Sequence, residues 1–147
     1  MEVSVMYLPH HEGLPGLERM TPGSSGFDIP AACDGDMVIG PGRTALVPAG
    51  FKLAIPAGFE GQVRPRSGLA LKESIGVLNS PGTIDADFRG EVCVILHNFS
   101  DRPFTVRRGD RIAQIVFCSL PSVDMVTSPT LDGTDRGAGG FGHTGRE

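Results

Sequence analysis

Short apolar runs alternate with glycine and proline along most of this chain. Turn residues such as Pro22-Gly23, Pro48-Ala49-Gly50 and Pro56-Ala57-Gly58 separate the runs. Short runs rich in β-branched residues between such punctuation predict strands, here at 37–39, 44–47, 51–55, 91–97, 104–106 and 111–119. The pattern is typical of an all-β antiparallel sandwich or barrel.

One stretch, 67–75, has a helical pattern instead. Ser67 is placed as a possible N-cap, and Leu69 and Lys72 lie about one turn apart. We therefore expect a single short helix within the β structure.

The alternation fades from about Pro121, and 131–147 contains six glycines and little apolar material besides Phe141. Such a segment cannot bury enough surface to order itself, so it should stay flexible until something organises it. The sequence predicts a β core at 1–122 and a C-terminal arm at 123–147.

Composition narrows the class of protein. The 147 residues, 39% hydrophobic, suit one domain, and a net charge of -4 argues against nucleic-acid coating. There is no apolar run of membrane-spanning length and no secretory pattern at the start, so we expect a soluble, cytoplasmic protein without a membrane role. Cys33, Cys93 and Cys118 show no paired spacing and are expected to be reduced thiols.

Two segments could bind phosphate or a hydrated metal ion. Asp28 follows the small, flexible loop 23–27, which suits a carboxylate facing a hydrated metal, although an ordinary turn explains it equally well. In Arg64-Pro65-Arg66-Ser67-Gly68, guanidinium and hydroxyl groups precede a predicted helix N-terminus. A solvated basic turn is the alternative.

The turn-rich stretch 79–91 places an amide, several acids and an aromatic ring between apolar runs. Its main chain could recognise a base edge, and a carboxylate there could deprotonate water. Phe88 could lie against a sugar or belong to the core, and Asp87 could simply pair with Arg89.

Two further segments contain polar groups that need partners. Gln114 interrupts an apolar strand and must form hydrogen bonds within the fold or with a ligand. The stretch 136–145 offers unhindered backbone NH groups, with Arg136 to add charge and Phe141 to stack. A tail without function is the alternative, and no histidine has metal-ligand spacing.

Taken in order, these five segments resemble the five motifs of the trimeric dUTPase family, from 21 to 146. The resemblance implies a jelly-roll-like (β-clip) fold, a homotrimer, and three active sites each built from three chains. It implies hydrolysis of dUTP to dUMP and pyrophosphate, which limits dUTP and supplies dUMP for thymidylate synthesis. Nucleic acid is not an implied partner.

The resemblance also assigns roles. Asp85 matches the catalytic aspartate that activates water for attack on the α-phosphorus, with Mg²⁺ neutralising the phosphates. Asp28 would bind that metal through water. The substrate-binding positions implied are Arg66, Ser67, Gly68, Asn79, Gly82, Thr83, Ile84, Asp85, Phe88, Gln114, Arg136, Phe141, Gly142 and Thr144.

Two departures from the family pattern affect specificity. Phe88 stands where tyrosine is usual, which keeps the ring against deoxyribose and loses the hydroxyl. Ala138 and His143 stand where serine is frequent, which leaves Thr144 as the hydroxyl for the γ-phosphate.

Two other functions are conceivable. A dCTP deaminase shares the fold but needs a glutamate on the strand after the hairpin, and 92–98, VCVILHN, contains no acid. A non-catalytic nucleotide-binding trimer should lack the water-activating acid or the arm, and this chain has both.

Overall fold

The computed structural model describes residues 1–145, so that Arg146 and Glu147 of the predicted arm lie outside the described residues. Within that range it contains eleven strands and one α-helix. In chain order these are β1 (Ser4–Tyr7), β2 (Phe27–Pro30), β3 (Met37–Ile39), β4 (Thr44–Pro48), β5 (Phe51–Ala54), β6 (Phe59–Arg64), α1 (Ser67–Glu73), β7 (Ile75–Val77), β8 (Gly82–Ile84), β9 (Cys93–Asn98), β10 (Phe104–Val106) and β11 (Arg111–Ser119).

All strand pairs are antiparallel. The largest sheet has the order β2-β11-β6-β8, and a second sheet has the order β4-β9-β7. Two ribbons, β1-β5 and β10-β3, complete the described strands. The prediction of an all-β antiparallel fold with one short helix is confirmed, and no helix in residues 1–145 could cross a lipid bilayer.

The core comes from the inward-facing positions of these strands. Phe51, Ile29 and Ile115 are fully buried, as is every second residue of β9. Burying one such side chain contributes about 1.5–3 kcal/mol. Asn98 is a buried polar exception whose amide donates to the carbonyls of Ile39 and Arg102, so its polarity is satisfied.

The predicted helix is shorter than expected and starts differently. It ends at Glu73, because Ser74 adopts a left-handed conformation (φ 53°), and Ile75 begins a strand. The proposed N-cap role of Ser67 is wrong: Arg66 is the N-cap, with extended backbone angles, and its carbonyl accepts the first helical hydrogen bond from Ala70.

The sequence pattern did not predict several of the strands. The prediction omitted β1, β2, β6, β7 and β8, and the strand expected at 91–97 begins only at Cys93. β6 is interrupted by polar Glu60 and Gln62, and β7 and β8 have three residues each. Glu91 stays outside the ladder because its carboxylate accepts hydrogen bonds from the Gly50 amide and pairs with His10.

Residues 120–145 contain no helix or strand, and nearly all of them are exposed. Tight turns organise the part after residue 133, with the Gly137 amide donating to the Thr134 carbonyl and that of His143 to Gly140. Within the described chain, the hydrogen bonds of residues 121–145 all stay inside that segment.

Candidate active site

The central sheet places the phosphate-motif residues on one face. Asp28 on β2 lies opposite Gln114 on β11, and Gln114 lies opposite Arg64 on β6. Residues directly opposite each other in an antiparallel pair project from the same side of the sheet. Three segments that are far apart in sequence therefore present polar side chains together.

Asp28 carries a guanidinium on each carboxylate oxygen. Arg111 Nη1 lies 3.0 Å from its Oδ2, and Arg66 Nε lies 3.5 Å from its Oδ1. The Asp28 side chain is only 15% exposed, which strengthens both interactions relative to a surface pair. The three residues form a charged cluster, which we call the Asp28 cluster, at one edge of the sheet.

Gln114 is held by the segment that leads into the helix. Its Nε2 donates to the Pro65 carbonyl at 3.0 Å. A methyl group at Gly26 would lie 2.5 Å from Gln114 Oε1, so only glycine fits there without moving the amide. The interpretation of Gln114 as internally bonded therefore describes the chain without ligand.

A cleft of about 410 Å³ joins this face to the predicted uracil hairpin. It is lined by Gln62, Arg64, Pro65, Ser80, Pro81 and Gln114. Ser67 and Gly68 are exposed and do not line this cleft, but they follow its residue Pro65 in the first turn of α1, where backbone amides lack partners within the helix. Polar groups of the second, third and fourth motif-like segments thus meet around one opening.

The hairpin itself is compact. Asn79 packs against Gly82, where an added methyl would approach its Nδ2 to 3.1 Å. Thr83 and Ile84 complete β8, which pairs with β6. Asp85 follows the strand, is exposed, and accepts the Phe88 amide through its carbonyl at 3.1 Å. Its carboxylate is therefore open to solvent and substrate.

Phe88 lies outside the core, with 41% of its surface exposed. Its ring rests on Gly90, whose missing Cβ would lie 2.5 Å from Phe88 Cζ. Arg89 donates to the carbonyls of Ala86 and Phe88 and forms no ion pair with Asp87 in the part of the chain that is described. The alternative interpretations of Phe88 as core and of Asp87 as the partner of Arg89 are thus wrong.

The arm is folded on itself in this single chain. Arg136 Nε donates to the Gly139 carbonyl at 2.9 Å, and the His143 ring occupies the space above Gly139. Phe141 is fully exposed with a left-handed backbone (φ 49°). Arg136, Gly142 and Thr144 line a cavity of the arm's own, so the single chain does not bring them to the Asp28 cluster.

The residues fit a metal ion that arrives with a nucleotide. Among residues 1–145 no group of three His, Cys, Asp or Glu side chains converges on one point. Mg²⁺ usually keeps several waters and binds through one or two carboxylates together with substrate phosphates. Asp28 supplies one carboxylate beside two guanidiniums, a set suited to a hydrated metal on a triphosphate.

Two of the three cysteines are poorly suited to act as nucleophiles. All three are free, which confirms the expectation of unpaired thiols. Burial raises the pKa of Cys33 and of Cys93 above the usual range, which disfavours their reactive thiolate forms.

Sequence reasoning overlooked Arg111, which contacts both Asp28 and Arg66 in the structure. The segment containing it was singled out only for Gln114. Two consecutive apolar residues, Ile112 and Ala113, between two polar ones break the strand alternation and were the available signal.

The fold and this cleft define an all-β domain with a polar face that contains guanidiniums, an amide and a carboxylate. The family model described as dUTPase matches residues 14–145. The chain belongs to the dUTPase family, and its activity is dUTP diphosphatase, the hydrolysis of dUTP to dUMP and pyrophosphate.

Solved dUTPases share its fold. The dUTPase of Staphylococcus bacteriophage 80alpha, solved with dUPNHPP, is 22% identical with a TM-score of 0.87, covering 98% of each chain. The dUTPase from phage phi11 of S. aureus is 19% identical with a TM-score of 0.80, covering 91% of this chain and 100% of its own. At these identities the likeness concerns the fold.

Proposed function

We propose that Asp85 is the general base of dUTP hydrolysis in this protein. Its carboxylate accepts a proton from a water molecule, the water oxygen bonds to the α-phosphorus, and the bond from that phosphorus to pyrophosphate breaks. Asp85 is solvent-exposed and follows a hairpin held by Asn79 and Gly82. This open carboxylate at the end of the hairpin is the observation that carries the proposal.

The phosphate-binding residues lie on several strands of the central sheet: Asp28 is on β2, at the edge opposite β8, Gln114 is on the interior strand β11, and 66–68 follow β6. Arg66, Ser67, Gly68 and Gln114 bind phosphate oxygens, and Asp28 would hold the Mg²⁺ of the triphosphate through water. The metal supplies charge neutralisation that lets an anionic base work next to phosphate. The mixed Asp28 cluster supports this role, because its guanidiniums suit phosphate and its carboxylate suits a hydrated cation.

Uracil and deoxyribose bind to the hairpin. The edge of uracil binds to the main chain of Gly82, Thr83 and Ile84 and to the Asn79 amide. Phe88 packs against the sugar. The exposure of Phe88 supports this, since a ring that serves the core would be buried.

We further propose that the site is shared within a homotrimer, and that residues 123–147 act as an arm covering a neighbour's nucleotide. Asp85 follows β8 and Asp28 lies on β2, at opposite edges of the four-stranded sheet. Arg136, Phe141, Gly142 and Thr144 make no hydrogen bond to the core in the described chain. Both observations favour a site completed by other chains.

Replacing Asp85 by asparagine tests the base. Asp85→Asn keeps the shape and removes the proton acceptor, so turnover should fall by roughly 10²–10⁴-fold. Binding of a dUTP analogue with an imido group between the α- and β-phosphates should change little. Asp87→Asn, two residues away in the same exposed turn, is the matched control and should keep normal pyrophosphate release.

Equal turnover of the Asp85→Asn and Asp87→Asn proteins would refute the assignment of the base. Loss of analogue binding by Asp85→Asn would instead point to a binding role for this residue. Calorimetry of analogue binding alongside the pyrophosphate assay separates these two results.

Mixed trimers test the sharing of sites. Chains carrying Asp85→Asn are refolded together with chains that lack 131–147, each inactive alone. If the base and the arm come from different chains, about one quarter of the sites in random trimers regain both parts. If one chain supplies both, the mixture stays inactive, which would contradict a shared site.

A further inference from the structure

The strongest unassigned feature near the site is the side chain of Arg111. Its Nη1 lies 3.0 Å from Asp28 Oδ2 and 3.0 Å from Met20 Sδ. Its main-chain carbonyl accepts a hydrogen bond from Arg66 Nη1 at 2.8 Å. One residue therefore contacts both the carboxylate proposed to face the metal and the guanidinium proposed to bind phosphate.

An irregularity in β11 places Arg111 there. The register between β11 and β2 shifts between Arg111 and Ala113, so that Arg111 pairs with Pro30 while Gln114 pairs with Asp28. Side chains alternate along a regular strand, so residues three apart point to opposite faces. The extra residue of the bulge cancels that alternation and brings Arg111 and Gln114 to the same face.

Burial agrees with this register. Ile112 and Ala113 are consecutive, yet only 1% and 0% exposed, as expected when a bulge turns two neighbours inward. In a regular strand Arg111 would share the face of Ala113 and Ile115, which is core. The bulge thus has a direct effect: it moves a guanidinium from the apolar core side to the Asp28 cluster.

We infer that Arg111 is a positioning residue that fixes Asp28 and Arg66 for the incoming metal–triphosphate. This inference rests on the roles proposed above for those two residues. Arg111 holds Oδ2 of Asp28, so Oδ1 is the oxygen offered to the hydrated metal. The Arg111 carbonyl accepts a hydrogen bond from Arg66 Nη1 and keeps that guanidinium in place. Arg66 Nε then leaves Asp28 Oδ1 and donates to a phosphate oxygen instead.

Without the Arg111 side chain, Arg66 is the one cationic partner left to Asp28 among residues 1–145. The carboxylate is then free to rotate toward that guanidinium and keep it from the phosphates. Nucleotide binding should therefore weaken most in the presence of Mg²⁺, when Asp28 and Arg66 both have to engage the ligand.

A double-mutant cycle on binding tests this coupling. The α,β-imido analogue of dUTP is titrated by calorimetry, with Mg²⁺ and with EDTA, into wild type, Arg111→Met, Asp28→Asn and the double variant. Arg111→Met should weaken Mg²⁺-supported binding roughly tenfold, the size expected for a charge-assisted hydrogen bond. In the Asp28→Asn background the same change should cost less than about twofold.

Two further variants serve as controls for the loss of an ion pair and for the loss of positive charge. Arg102→Met removes an exposed ion pair to Glu73 with a similar 2.8 Å separation, and should leave analogue binding unchanged. Arg111→Lys keeps the charge and loses the planar fork, so it should fall between wild type and Arg111→Met. If Arg111→Met does not fold, the cycle is completed with Arg111→Lys.

Equal effects of the Arg111 change with and without Asp28 would overturn the inference, because the arginine would then act independently of the carboxylate. An Arg111→Met protein that folds and binds normally would overturn it too. Undiminished Mg²⁺ dependence in Asp28→Asn has a different meaning: it refutes the metal role proposed for Asp28. The two failures are therefore distinguishable.

Discussion

Gly26→Ala offers a sharp test of the phosphate face, because a single methyl group meets one functional side chain. The new Cβ would lie 2.5 Å from Gln114 Oε1 and 3.3 Å from its Cβ and Cδ. The amide has to move, and its 3.0 Å hydrogen bond to the Pro65 carbonyl is lost. The Gln114 amide is then misplaced for its proposed phosphate contact.

The sizes of the two effects differ. Loss of the neutral hydrogen bond costs about 1 kcal/mol, and a hydrogen bond to a charged phosphate contributes about 1.5–3 kcal/mol. The second effect corresponds to roughly a 10–100-fold decrease in kcat/KM. Unfolding free energy should change by no more than about 1 kcal/mol, because glycine-to-alanine replacement also reduces the entropy of the unfolded chain.

The assay is pyrophosphate release from dUTP with Mg²⁺, alongside urea unfolding. Gly23→Ala is the matched control, since a methyl there meets no atom within 4 Å. Gly26→Ala should lose activity while Gly23→Ala keeps it, with both proteins nearly as stable as wild type. If Gly26→Ala hydrolyses dUTP at the wild-type rate, the Gln114 amide takes no part in substrate binding.

Two other predictions concern the termini. Deleting 131–147 should leave a folded core with almost no turnover, since residues 131–145 add little burial; full activity after deletion would contradict the arm's role. Burial first, and then the Arg108 charge, lowers the pKa of His11 below its ordinary value of 6.5. The unfolded chain therefore binds this proton first as the pH falls, so stability should decline below about pH 6.5. Urea unfolding from pH 7.5 to 5.5 should show a shallower decline in His11→Phe, and an unchanged slope would refute the contribution of His11.

The fold was readable from sequence where the local signals agreed. β11 is a nine-residue apolar strand, and β3 and β10 occur at the predicted bounds. β6 was missed because Glu60 and Gln62 interrupt its apolar pattern. β7 and β8, at three residues each, are too short for a periodic signal and exist because neighbouring strands pair with them.

The candidate site, like the fold, was predictable from the sequence only in part. The types of residue were recognisable in sequence, because guanidiniums, a lone glutamine and a carboxylate in turn-rich surroundings are chemically distinctive. Their partners were not, since the Asp28–Arg111 contact joins residues 83 positions apart and depends on the bulge in β11. Likewise, Ser67 appeared to be a cap because residue type alone did not reveal the extended backbone of Arg66.

The Asp28–Arg111 contact shows that β11 contributes two side chains, and not Gln114 alone, to this face of the sheet. Gln114 and Arg111 reach the same face through different means, one by regular alternation and the other by the bulge. A substitution at Ile112 or Ala113 that restored a regular ladder would therefore affect the site without touching a ligand-binding side chain.

The most direct measurement of the central claim is pyrophosphate release from dUTP, dTTP, dCTP and UTP, compared in parallel with Mg²⁺. We expect rapid release from dUTP alone, because in the proposed site the hairpin would leave no room for the thymine methyl and the Phe88 ring would disfavour a ribose hydroxyl. Comparable release from dTTP or UTP would contradict the proposed base and sugar recognition, and ammonia released from dCTP would contradict the assigned reaction.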